Sequence, residues 1–162
     1  MVLTKAELIG SLQNEVRILL HLAGKVDAKS VDYRPTAKQR STIEWMRYLC
    51  LMGPALVDAA KTGTFNGEAW GKEQAAVDAL DLQGVIARIG TLSDHFAKAV
   101  GEMSDADFRV EIEMFGQKYT KGSFLVNMVL SGYADGTFVK VTRKGDAFEE
   151  KAGADGTIDR IN

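Results

Sequence analysis

The chain has 162 residues, a formal net charge of −2, and 46% hydrophobic against 26% charged residues. That composition fits one ordinary domain with a single core, and without a basic surplus nucleic acid is not an expected partner. The single cysteine, Cys50, has no internal disulfide partner, no apolar run reaches the roughly 18 residues that cross a bilayer, and Met1–Glu7 lacks the apolar core of a signal peptide. A cytoplasmic protein with no membrane partner is therefore expected.

The first helix is predicted to start at Thr4. Thr4 and Glu7 have the spacing of a capping box, in which each side chain satisfies an amide at the helix N-terminus. Leu8, Leu12, Val16 and Leu19, flanked by Ile9 and Leu20, form one apolar stripe, and Gly24 is a stop. The polar connector that follows contains Arg34-Pro35, where the proline holds Arg34 extended. Ser41 and Glu44 repeat the capping-box spacing and open a second helix to about Lys61. Its stripe is Met46, Leu49, Cys50, Gly53, Leu56, Val57 and Ala60. Pro54 lies inside it, removes one backbone hydrogen bond, and predicts a kink near Cys50–Gly53.

Phe65-Asn66-Gly67 reads as a turn, and Glu68–Leu80 as a short helix carrying Trp70. A longer helix is predicted over Asp81–Met103, with Leu82, Val85, Ile86, Ile89, Leu92, Phe96, Val100 and Met103 on one stripe. Ser104 and Asp107 can cap a further turn. The period then changes to two. Val110, Ile112 and Met114 alternate with Arg109, Glu111 and Glu113, which predicts an extended segment turned at Gly116. The last helix is predicted to open at Ser123 and to carry Phe124, Leu125, Met128, Val129, Tyr133 and Phe138. Asp135-Gly136-Thr137 is poor helix material, so residues 135–145 either continue this helix or form a hairpin, with Thr137–Val141 as a strand. Residues from about 146 to 162 are polar and read as a C-terminal tail of a single domain spanning 1–162. Amphipathic helices with one-sided stripes argue for an all-α bundle with long connections and a short extended segment before the last helix.

Three features together make residues 4 to about 145 resemble the DinB-like superfamily of four-helix bundles. The first is the Arg34-Pro35 connector followed by a helix capped at Ser41. The second is the extended stretch Arg109–Gly116, then Thr120-Lys121-Gly122 at the entry to the last helix. The third is the length of the chain, the order of its helices and the long loops between them. In metal-binding members the eighth residue of the Ser-capped helix is a histidine, and the last helix carries two more as H-x-x-x-H. Carried over by the Ser41 cap and the final Gly145, those positions are Tyr48, Val129 and Tyr133. None is histidine, and valine offers no ligand atom.

The resemblance thus implies the metal-free branch, with no cofactor. The expected function is a non-catalytic small-molecule-binding or interaction bundle, paired as a homodimer through helix faces. Tyr48 and Tyr133 either hydrogen-bond each other and plug the old site, or line a small apolar pocket with two polar handles. The alternative is a metal-dependent thiol S-transferase or hydrolase using a rearranged site of His21, His95 and carboxylates. Read from the residues alone, His21 suits the C-terminal end of the first helix, His95 a flank position, and Cys50 the buried stripe. No phosphate-binding loop, G-x-S-x-G elbow or H-E-x-x-H motif is present.

Overall fold

The computed structural model describes residues 3–137, 141–144 and 147–150. Within them the fold is all-α apart from two short hairpins. Helix α1 (Lys5–Ala23) is capped by Thr4 and α2 (Thr42–Thr62) by Ser41, both through complete capping boxes with Glu7 and Glu44. Asn66 caps α3 (Gly67–Asp78) and Asp81 caps α4 (Leu82–Gly90). Helix α5 (Leu92–Gly101) follows directly. The single helix expected over Asp81–Met103 is therefore two. Gly90 and Thr91 are weak helix formers, and the Thr91 hydroxyl donates to the Arg88 carbonyl at 2.8 Å. The Thr91 amide bonds the same carbonyl three residues back, at 3.1 Å, while the His95 amide still reaches Thr91 at 3.1 Å. One tight turn interrupts the helix, and Val85, Ile89, Leu92, Phe96 and Val100 remain in the core.

The extended segment is a hairpin. Strand β1 (Glu111–Met114) pairs antiparallel with β2 (Gln117–Thr120), and Ile112 and Met114 face inward. The turn places both Phe115 (φ 53°) and Gly116 (φ 75°) in the left-handed region. The last helix opens at Lys121 rather than Ser123. Thr120 is its cap, because Ser123 stands three residues on and closes a capping box with it. The helix runs as α6 (Lys121–Phe124), a π-helical stretch (Leu125–Leu130) and α7 (Ser131–Thr137). Asp135-Gly136-Thr137 thus continue the helix. Beyond it, β3 (Val141–Lys144) pairs with β4 (Ala147–Glu150), so part of the expected tail is strand. Phe138 and Gly145 lie outside the described residues.

Helices α1 and α2 each pack against the α4–α5 pair and against the last helix, and α3 packs on the outside of α2. Long basic side chains close the helix ends. Lys5 donates to the carbonyls of Gly101 and Met103 (3.2 and 2.9 Å), and Lys121 to that of Lys61 (2.7 Å). Arg47 Nε donates to Leu80 at 3.0 Å. These donors satisfy carbonyls that a helix leaves free.

Arg34 of the connector bonds Glu44 at 2.8 Å, joining the connector to the α2 cap. Hydrogen bonds from the Arg34 side chain and the Ser41 amide hold the Glu44 carboxyl below its ordinary value of 4.5. A depressed carboxylate contributes stability that is complete above its unfolded value and is lost as pH falls through its folded value. Glu44→Gln is therefore expected to lower the thermal midpoint at pH 7. The gap to the wild type should close as pH drops below 4.5, read by circular dichroism at each pH.

Candidate functional site

Tyr133 is fully buried, and its ring packs edge-on against Phe96 with centroids 5.5 Å apart. Its hydroxyl donates to the backbone carbonyl of Leu49 at 2.6 Å. That carbonyl lies one helical turn before Gly53-Pro54, where α2 runs through its internal proline to Thr62. Only glycine allows this approach. A Cβ on Gly53 would collide with the Tyr133 hydroxyl, and would stand 2.5 Å from Tyr133 Cε2 and 2.6 Å from Phe96 Cζ. Burial pushes the phenol far above its ordinary range, so it stays protonated. The side chain is an uncharged wedge lodged in the wall of α2.

The π-helical stretch helps to aim this wedge. Leu125, Val129 and Tyr133 are all buried and stand four residues apart. In a regular α-helix each such step drifts by about 40° around the axis. The wider π turn, closed by the Ser131 amide bonding Val126, takes up part of that drift. Val129 and Tyr133 therefore share the inner face.

Tyr48 is placed differently. It is half-buried and stacks on Trp45 at 5.3 Å, with Trp70 edge-on at 6.2 Å and the Arg40 guanidinium 4.3 Å above its ring. It lines a shallow cleft with Met52, Met128 and Gly132. Tyr133 gives its proton to Leu49 and not to Tyr48, so the phenol pair expected as a plug is not formed. Tyr133 alone fills the centre, and Tyr48 belongs to the aromatic seam between α2 and α3.

His21 is exposed in the last turn of α1. His95 is half-buried on α5, and its Nε2 has no hydrogen-bond partner among the described residues. Burial holds its pKa below the usual histidine value; nearby Asp58 raises it, while Arg88 and Lys61 lower it further. The ring is neutral at pH 7. It faces a cavity of about 630 Å³ between α2, α3 and the α4–α5 pair. Cys50 lies on the same cavity wall, 1% exposed, with its thiol directed at the Val85 carbonyl. Burial pushes this thiol up to about 12, so it is not a thiolate nucleophile. Among the described residues no three His, Cys, Asp or Glu side chains are grouped to hold a metal. No described helix is long and apolar enough to cross a membrane.

The Gly53 approach, the π stretch and the groups around His95 were not anticipated from the residues. Gly53-Pro54 inside an apolar stripe was the available signal for the first. Nothing local in the sequence marks the other two.

No family model matches the chain, and no curated protein matches it.

Two outcomes follow from this geometry. Tyr133→Phe removes the phenol's hydrogen bond to the Leu49 carbonyl, which keeps its place in the α2 ladder, and should cost about 0.5–1.5 kcal/mol in denaturant unfolding. Cys50 should resist a disulfide-exchange reagent at pH 8 in the folded protein and react promptly once unfolded, as followed by absorbance.

Proposed function

We propose that the protein is a DinB-like four-helix bundle of the metal-free branch, acting as a small-molecule-binding or interaction protein rather than as an enzyme. One observation carries this reading. At the position corresponding to the family's last metal ligand stands Tyr133, protonated, buried and hydrogen-bonded to the Leu49 carbonyl. Val129 beside it has no donor atom, and Tyr48 is stacked among Trp45, Trp70 and Arg40. A zinc or nickel centre needs neutral imidazoles or ionised ligands, and these three side chains supply neither. The order of the packed helices and the hairpin before the last helix support the same assignment. A homodimer through helix faces belongs to this reading as well.

The alternative, a thiol S-transferase or hydrolase with a rearranged metal site, would draw on His21 and His95. His21 is exposed at the end of α1, and His95 opens onto the α2–α3 side.

Elemental analysis of protein purified without an affinity tag tests the reading. The expected result is no stoichiometric transition metal. A metal bound one to one, and lost from His21→Ala or His95→Ala protein, would establish the alternative.

A further inference from the structure

The cavity beside His95 lies apart from Tyr133 and Val129, and nothing in the family resemblance assigns it a role. We infer that it binds a small organic cation, an amine with an apolar body. The ammonium would be held between Asp58 and His95 Nε2, and the body would lie along Pro54, Ala55 and Trp70.

The first observation is the buried, unpartnered Nε2 of His95. A polar atom left in that state costs free energy that a ligand hydrogen bond recovers. The second is Asp58, exposed on the cavity lining, whose carboxylate has no hydrogen bond or ion pair among the described residues. It is near enough for its charge to act on His95. With the ring proton on Nδ1, the neutral imidazole accepts at Nε2 as the Asp58 carboxylate does, so the complementary group is a multiple donor. An ammonium has three N–H groups and can serve both.

Charge selects in the same direction. Lys61 is paired with Glu102 and Arg88 with Glu73, each at 2.8–2.9 Å. The charged side chains that line the cavity are two cations, Lys61 and Arg88, and two carboxylates, Glu73 and Asp58; with both cations paired, Asp58 is the lining charge left for a ligand. An anionic ligand would have to displace a carboxylate from Lys61 or Arg88, whereas a monocation can pair with Asp58 and leave both ion pairs in place. The cavity volume of about 630 Å³ suits a small organic molecule. Pro54, Ala55 and Ala69 offer apolar wall, and the Trp70 ring offers a face attractive to a cation.

This inference rests on the binding reading only in treating the protein as a binder. A metal at the Tyr48, Val129 and Tyr133 positions would overturn that reading and leave this one standing, whereas failed amine binding by metal-free protein would overturn this one alone.

The test is titration of the full chain with benzylamine, benzyl alcohol and benzoate, which share a ring and differ in charge. Calorimetry reads affinity, and the imidazole carbon-bound protons in NMR read location. Benzylamine is expected to bind one to one and to move the His95 resonances but not those of His21. Asp58→Asn, an exposed substitution that should leave the fold intact, is expected to weaken it by about tenfold or more, as loss of one charge-assisted hydrogen bond implies. Three results would overturn the inference: no saturable benzylamine binding at millimolar concentration, equal or tighter binding of benzoate or benzyl alcohol, or an Asp58→Asn protein of unchanged affinity.

Discussion

The contact between the Tyr133 phenol and the backbone of α2 is the constraint on which the remaining arrangement depends. Proline inside a helix removes a donor and crowds the preceding turn. Glycine beside it removes the side chain that would shield that turn. Here the opening is occupied by a phenol from the last helix, hydrogen-bonded to the Leu49 carbonyl and braced by Phe96 of α5. Three helical members therefore meet at one buried polar contact. Such a contact specifies position as well as stability, because any other placement of the last helix leaves a phenol buried without a partner.

The π-helical stretch and the Thr91 interruption belong to the same logic. Both are departures from regular helix that let a stripe of side chains keep facing the core. In the last helix, residues four apart stay on one inner face. Between α4 and α5, one tight turn passes while the buried stripe continues from Val85 to Val100. Tyr133 fills the space between α2 and α5. Space for a ligand lies instead on the α2–α3 side, where His95 and Asp58 retain unused hydrogen-bonding capacity.

Much of the fold was legible in the residues because it is local. The caps at Thr4 and Ser41 depend only on a four-residue spacing, and the stripes of α1 and α2 only on helical period. Two of the misjudged parts are local as well, but they rest on unusual chemistry and not on a common spacing signal. The start of the last helix moved to Thr120 because Ser123 serves it as a box partner, a role that glutamate or glutamine usually takes. The break at Thr91 turned on a hydroxyl bond to Arg88 that competes with the helix ladder. For the candidate site, Val129 and Tyr133 were singled out through the family pattern and both are buried, yet the direction of the Tyr133 hydroxyl was not readable. Its acceptor is the carbonyl of Leu49, a backbone group that carries no residue signature.

The central claim is that Gly53 is glycine because Tyr133 occupies its side-chain space. A double-mutant cycle tests this most directly, measuring unfolding free energies of Gly53→Ala in the wild-type and in the Tyr133→Leu background. Once the phenol is gone only Phe96 Cζ crowds the new Cβ, and alanine's intrinsic helix preference of about 1 kcal/mol offsets part of that, so the substitution should cost less there. With Tyr133 present it should be clearly destabilising, giving a coupling of about 1–3 kcal/mol. Equal effects of Gly53→Ala in both backgrounds would contradict the account.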